Sequence, residues 1–163
     1  MPEQGFRFRI PGAQWQIEFC GESLRALERH VQHGFKTAEA AGQLFTRDIN
    51  GPLVRVDKVT NPVSRWARYA GVRLDLKAIQ KERDRLFREG LHCLGFWHSH
   101  PEACPSPSHA DLAMAAEQAA AGGDDFTGLI FVIIGNSPFP KGLGVWVHDG
   151  TQLWRAEHIE KQG

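Results

Sequence analysis

Two short segments rich in histidine and aspartate constrain the fold of this chain more than any other feature. His98 and His100 flank a single serine, and Asp111 follows in the next segment. Residues at positions i and i+2 of a strand lie on the same side, so both imidazoles can reach one ion. The intervening residues 101–107 include three prolines, which favour a stiff connection that returns the chain towards the histidines. Ser108 then begins a predicted helix, so the pattern requires a strand end beside a helix N-terminus.

The segment before the histidines has the composition of a buried strand. Residues 91–97 are mostly apolar, and a period of two predicts Leu94 and Phe96 on the same face as the histidines. Pro101 is expected to end this strand. The imidazoles would then project from the end of a strand that lies inside the protein.

The three side chains form a set of ligands that suits a hydrolytic zinc site. Zinc accepts imidazole nitrogen and carboxylate oxygen at about 2.0 to 2.2 Å, and catalytic sites combine three protein ligands with an open position for water. His98, His100 and Asp111 would supply the three ligands. A helix cap alone would also explain Ser108 and Asp111, because a serine followed three residues later by an acidic residue is typical of helix starts. The two histidines favour the metal site, and the serine can serve both purposes.

This spacing resembles the motif of the zinc-dependent JAMM peptidases, also called the Mov34/MPN/PAD-1 or JAB domain. Their motif is a glutamate, then His-x-His, seven residues and Ser-x-x-Asp, which residues 98–111 match in full. The family's glutamate lies in a Glu-x-x-Gly-x-Leu segment, which stands here as residues 39–44 and begins with Glu39. Thr46 replaces the glycine often found next. The resemblance implies the JAB/MPN architecture, which is cytidine deaminase-like, and one catalytic Zn2+ ion.

The resemblance also implies catalytic roles for two residues. Glu39 would accept the proton of the attacking water and return it to the leaving amine, and Ser108 would donate a hydrogen bond to the developing oxyanion. Without the resemblance, a solvated surface carboxylate is the expected state of Glu39. Glu22 and Glu28 are rival proton shuttles, although Glu28 belongs to an amphipathic segment that would leave it solvated.

Two further residues near the motif offer different chemistry. Cys104 and His109 are alternative zinc ligands to Asp111, because thiolate and imidazole both bind zinc. A cysteine thiolate paired with a histidine would instead suit a cysteine peptidase, although the spacing lacks the signatures of those families.

Known members of the resembled family cleave isopeptide or peptide bonds after the C-terminal glycine of ubiquitin or ubiquitin-like proteins. Residues 95–102 resemble the compact bacterial members, which accompany E1-like and E2-like proteins. The resemblance therefore implies removal of a ubiquitin-like protein, or of an antiviral nucleotidyltransferase, from conjugates in antiphage defence. The alternatives are a hydrolase acting on a sulfur-carrier protein and a non-catalytic MPN scaffold module.

Residues 61–73 form a candidate substrate-binding segment. Trp66, Arg68 and Tyr69 lie among further arginines, and exposed aromatic residues with arginines are typical of interface hot spots. The alternative is an ordinary loop whose Trp66 folds back into the core.

Composition excludes several classes of protein. A length of 163 residues suits one domain, and Lys plus Arg equals Asp plus Glu at 19 each, so no basic field favours nucleic acid or an anionic membrane. The longest apolar stretch, residues 128–134, has only the length of a strand, and the first residues lack the blocks of a signal peptide. We therefore predict a cytoplasmic protein, in which the three cysteines are reduced thiols.

Periodicity predicts a single-domain α/β fold, in which helices flank a mixed β-sheet. Residues 6–10 and 15–19 predict an opening hairpin, and helices are predicted over 23–33, over 75–89 and from Ser108. Gly34 and Gly90 are the predicted stops of the first two helices. Asn50 and Gly51 are predicted to connect the first two of the remaining strands. These strands are predicted at residues 42–46, 53–60, 91–97, 128–134, 144–148 and 151–156.

Overall fold

The computed structural model describes residues 5–32, 40–61, 76–121 and 128–160. Within these ranges, ten strands and three helices form two mixed sheets with helices packed against them, which confirms the predicted α/β class. The elements in chain order are β1 (Phe6–Arg9), β2 (Gln16–Phe19), α1 (Gly21–Glu28), β3 (Ala41–Thr46), β4 (Leu53–Val56), β5 (Lys58–Val59), α2 (Leu76–Arg88), β6 (His92–Ser99), α3 (His109–Ala121), β7 (Leu129–Ile134), β8 (Leu143–His148), β9 (Leu153–Arg155) and β10 (Glu157–Ile159). No helix in these ranges has both the length and the apolar character needed to cross a bilayer.

The larger sheet has six strands in the order β5-β3-β6-β7-β8-β9, and the smaller has four in the order β10-β1-β2-β4. In the larger sheet, β6 lies between β3, which is antiparallel to it, and β7, which is parallel. All six residues of β7 are buried, as expected for a continuously apolar strand that is covered on both faces. The histidine strand β6 is therefore an inner strand with hydrogen bonds on both sides.

The two faces of the larger sheet are covered by different elements. One face contributes Trp97 to a cluster that also contains Leu27 of α1 and residues of the smaller sheet. The opposite face contributes Phe96 and Phe131 to a cluster that contains Ile79 of α2 and Ala115 of α3. We call these the α1 face and the α2/α3 face. His98 contacts the Phe131 ring, with ring centroids 5.4 Å apart, so it belongs to the α2/α3 face.

An irregularity in β6 corrects one sequence prediction. The register between β3 and β6 shifts between Leu44 and Phe45, and Gly95 has a φ of +151°. A Cβ atom at Gly95 would lie 1.8 Å from the Ile130 carbonyl oxygen, so only glycine fits here. Leu94 packs on the α1 face, whereas Phe96 packs on the opposite one. The prediction that Leu94 shares the histidine face is wrong, because a bulge interrupts the alternation.

Most predicted elements occur in the structure, but several boundaries differ. β1 and β2 form the predicted antiparallel hairpin, and α2 is followed by Gly90 with a φ of +85°. Helix α1 ends at Glu28, so the predicted stop at Gly34 is wrong.

The strand predicted over residues 53–60 divides into two strands that belong to different sheets. Asp57 lies at the break between β4 and β5, and its side chain accepts a hydrogen bond from the Arg47 amide at 2.7 Å. Strand β4 then pairs in parallel with β2, whereas β5 pairs with β3. Strand β10, which the sequence did not predict, pairs with β1.

Candidate metal centre

The end of β6 and the start of α3 bring the three predicted ligands together. His98 is the next-to-last residue of β6 and lies between Ala41 of β3 and Ile133 of β7. His100 lies just beyond the strand, where its amide donates to the Ile134 carbonyl at 2.9 Å. Asp111 lies in the first turn of α3. The backbone at both histidines is thus held by neighbouring strands.

The ligand atoms of these residues converge on one small volume. His98 Nε2 lies 2.8 Å from Asp111 Oδ1, and His100 Nε2 lies 3.7 Å from Asp111 Oδ2. One potential ligand atom from each residue lies within 4.8 Å of the others. The exposed fractions are 1% for His98, 8% for His100 and 0% for Asp111.

This arrangement has the donor set of a site for a divalent ion, because zinc accepts imidazole nitrogen and carboxylate oxygen. The three side chains offer two such nitrogens and one carboxylate within 4.8 Å of one another. A fully buried carboxylate also needs a compensating positive charge, because burial of an unpaired charge is costly. The three residues could therefore hold a metal ion, which would compensate the charge of Asp111.

The first turn of α3 orients the aspartate through a reciprocal cap. The Ser108 hydroxyl accepts a hydrogen bond from the Asp111 amide at 3.1 Å, while Asp111 Oδ2 accepts one from the Ser108 amide at 2.8 Å. This is the predicted capping pattern, in which the two ends of the turn satisfy each other. The same carboxylate is both cap and candidate ligand, and the Ser108 side chain remains at the surface.

The alternative residues lie elsewhere. Cys104 and His109 are exposed, and among the described residues the ligand group consists of the three predicted side chains without them. Glu22 and Glu28 are exposed on α1, which packs on the other face of the sheet from His98. The alternative ligands and the alternative proton carriers therefore do not belong to the group of three converging side chains.

Several predicted site residues lie outside the described ranges. These are Glu39 and the candidate substrate contacts Trp66, Arg68 and Tyr69. The residue that follows Glu39 is described: the Ala40 amide donates to Ser99 Oγ at 2.8 Å.

Two residues beside the ligands were missed by the sequence analysis. Ser99, buried between the histidines, exchanges hydrogen bonds with Ala40, since its own amide donates to the Ala40 carbonyl at 2.9 Å. The carboxylate of Glu102 lies 3.1 Å from His100 Nδ1. A carboxylate two residues after a histidine is a weak sequence signal, because the contact depends on how the chain turns after Pro101.

A buried polar group on the α2/α3 face was also missed. Gln43 donates to Glu82 Oε1 at 3.0 Å and accepts from Arg83 Nε at 2.7 Å, and the Thr60 hydroxyl also donates to Glu82. This group joins β3 and the end of β5 to α2.

Burial raises the pKa of the nearby Cys93 thiol, which disfavours the reactive thiolate there.

Comparison with known proteins assigns the chain that carries these residues to a family. Residues 22–149 match the family described as prokaryotic homologs of the JAB domain. The chain belongs to this family. The match includes both histidines and the aspartate, and it confirms the resemblance that the motif suggested.

Individual relatives of this JAB-family chain are distant. It is 30% identical over 100 residues to a Pseudomonas aeruginosa (strain BWHPSA011 / Pa011) protein named CD-NTase/cGAS isopeptidase. The matched region covers 58% of this chain and 62% of that relative, so the chain spans under two thirds of the relative's length.

Two solved structures share the fold. A solution structure from Desulfitobacterium hafniense has a TM-score of 0.58 at 20% identity and covers 89% of this chain and 92% of its own. Another from Salinibacter ruber (strain DSM 13855) has a TM-score of 0.52 at 19% identity, covering 88% and 91%.

Proposed function

We propose that this chain is a single-domain, zinc-dependent isopeptidase of the JAB type that removes a conjugated protein from its target in a bacterial antiphage defence system. The observation that carries the proposal is the buried convergence of His98, His100 and Asp111 at a strand end. Membership of the prokaryotic JAB family and the relative named CD-NTase/cGAS isopeptidase support the reaction class.

The three ligand residues would hold the ion through two imidazole nitrogens and one carboxylate oxygen. Bound zinc polarises an amide carbonyl and makes water acidic enough to attack near neutral pH. The intact ligand set favours catalysis over a non-catalytic scaffold role. Asp111 lies in the first turn of α3, and Ser108, just before that helix, is exposed to solvent.

Glu39 is the proposed proton carrier. One peptide unit, about 3.8 Å between Cα atoms, separates it from Ala40, which hydrogen-bonds Ser99 between the two histidines. The residue that follows Glu39 is therefore held beside the strand that carries the histidines, which supports the proposal. It would take a proton from the attacking water and give it to the lysine amine as the amide C–N bond breaks.

Ser108 is the proposed oxyanion donor. Its oxygen accepts the Asp111 amide at 3.1 Å, a bond that does not use its hydroxyl hydrogen. That hydrogen can be donated to the carbonyl oxygen as negative charge develops there. Trp66, Arg68 and Tyr69 are proposed to contact the substrate.

Two conjugates are candidate substrates. In the first, a CD-NTase is joined to its target through an isopeptide bond, as the name of the curated relative suggests. In the second, the C-terminal glycine of a ubiquitin-like protein forms the same bond, and E1-like and E2-like proteins would be the partners that make it. Both share an isopeptide carbonyl, so the same residues would serve either one.

The test uses synthetic isopeptides of both kinds, together with matched linear peptides, and mass spectrometry of the products. We expect the zinc-loaded protein to release a free carboxyl and a free lysine amine from one isopeptide. A chelator should abolish cleavage, and zinc should restore it. His100→Ala should be inactive, whereas His109→Ala, a matched control at an exposed histidine outside the ligand group, should be active. Absence of cleavage by zinc-loaded protein, or full activity in His100→Ala, would refute the proposal.

A further inference from the structure

We propose that Glu102 is a positioning residue that fixes the tautomer of His100 and thereby presents its Nε2 lone pair to the metal. The inference rests on the proposed function, because it assigns a task to a residue that supports one of the proposed ligands. Its starting point is the 3.1 Å separation between His100 Nδ1 and Glu102 Oε1.

The two nitrogens of His100 have carboxylates at different distances. Nδ1 lies 3.1 Å from Glu102 Oε1, within hydrogen-bond range, and Nε2 lies 3.7 Å from Asp111 Oδ2. A carboxylate can only accept a hydrogen bond, so the contact with Glu102 requires the hydrogen on Nδ1, and a neutral imidazole carries one N–H. His100 Nε2 then keeps its lone pair and points towards Asp111 and His98.

The backbone holds Glu102 where this contact can form. The Glu102 carbonyl accepts a hydrogen bond from the Asn136 amide at 2.7 Å, and the His100 amide donates to the Ile134 carbonyl at 2.9 Å. Both ends of the segment from His100 to Glu102 are therefore fastened to the chain that leaves β7. The backbone that carries Glu102 is thus held at the glutamate itself and at His100, two residues earlier.

A glycine makes this approach possible. A Cβ atom at Gly135 would lie 2.4 Å from the Glu102 carbonyl oxygen and 2.8 Å from Pro105 Cδ. Any larger residue would push the segment of Glu102 away from β7. Gly135 thus allows the Glu102 backbone to pack closely against the chain after β7, and this packing keeps the Glu102 carboxylate beside His100.

The physical consequence concerns metal affinity. Carboxylates that accept the second N–H of a ligating histidine fix the ring and raise its basicity, and their loss typically costs about 10- to 100-fold in metal affinity. The Glu102 side chain is 48% exposed, so its substitution should leave the fold intact. Glu102→Ala keeps the backbone carbonyl that Asn136 binds.

The experiment compares Glu102→Ala, Glu102→Gln and a control, Glu117→Ala, which removes an equal charge from an exposed position on α3. The first readout is the tautomer of His100 in zinc-free, 15N-histidine-labelled protein, from long-range 1H–15N correlation spectra at alkaline pH. The second is the zinc dissociation constant, from competition with a chromophoric chelator.

We expect the wild type and Glu117→Ala to show the Nδ1–H tautomer and equal zinc affinity. Glu102→Ala should lose that tautomer preference and bind zinc about 10- to 100-fold more weakly. Glu102→Gln should lie between, because its amide oxygen still accepts the N–H.

The inference is overturned if Glu102→Ala retains the wild-type tautomer, or if it binds zinc as tightly as Glu117→Ala. Failure of the proposed function gives a different result. If the wild type bound no zinc, the metal site would be refuted, while the tautomer comparison in zinc-free protein would still decide the role of Glu102.

Discussion

Replacement of Ser108 by alanine separates the two roles that this residue combines. The substitution removes the oxygen that accepts the Asp111 amide at 3.1 Å, and it removes the proposed oxyanion donor. The Ser108 amide remains and still donates to Asp111 Oδ2, so half of the reciprocal cap survives. We therefore expect a small loss of stability and a much larger loss of turnover.

The two effects have different magnitudes. Loss of a serine cap costs about 1 kcal/mol, which for a chain of this size lowers Tm by about 2 to 4 °C. Loss of one oxyanion donor costs about 2.7 to 4 kcal/mol of barrier, or about 100- to 1000-fold in kcat. The fold-loss in kcat should thus be at least about tenfold larger than the fold-change that the lost cap causes in the unfolding equilibrium constant.

The assay measures thermal unfolding of the zinc-free protein and kcat at saturating zinc on a cleavable isopeptide. Ser108→Thr keeps the hydroxyl and should retain most of both properties. Ser106→Ala, at an exposed serine in the preceding segment, is the matched control and should resemble the wild type. A kcat loss of no more than about fivefold for Ser108→Ala, which is roughly 1 kcal/mol, would equal the cap alone and refute the oxyanion role.

Three further predictions address other parts of the molecule. Glu39→Gln should bind zinc in the wild-type ratio, by metal analysis, while kcat falls about 100- to 10,000-fold; an active variant would exclude Glu39 as the proton carrier. Gly42→Ala should lower the free energy of unfolding by at least about 1 to 3 kcal/mol in denaturant titrations, because the new Cβ would lie 1.7 Å from the Thr60 carbonyl oxygen; an unchanged midpoint would contradict this packing. Hydrogen bonds from the Trp154 indole and from backbone amides lower the pKa of Asp149 from 3.8 to about 2, so its stabilising effect is complete above pH 3.8 and is lost as the pH falls through 2. Carboxyl NMR titration should find that low pKa, and Trp154→Phe should raise it; equal values in both proteins would exclude the indole as a cause.

The sequence was informative where local chemistry determines the outcome. The apolar run of residues 128–134 predicted the strand β7, and Gly90 predicted the end of α2. The convergence of His98, His100 and Asp111 was also predictable, because two histidines at strand spacing share one side and the proline-rich connection returns the chain towards them.

Features that depend on distant contacts were not predictable. Leu94 occupies the unexpected face because Gly95 adopts a positive φ against Ile130, a residue 35 positions later in the chain. Strands β4 and β5 separate because their pairing partners, β2 and β3, belong to different sheets. The Glu102 contact to His100 was equally hidden, since it requires Gly135 and the chain beyond β7.

The inner position of β6 has a consequence for how the protein responds to scarce metal. Amides at Ser99 and His100 are bonded to Ala40 and Ile134, so the sheet itself holds the backbone that carries the two histidines. Small domains that fold only around their zinc collapse when it is withdrawn. On the proposed zinc site, this chain should instead stay folded when the ion is removed, and resupply should restore binding without refolding. Zinc at about 100 times its dissociation constant would add about 2.7 kcal/mol to a stability that the sheet already provides.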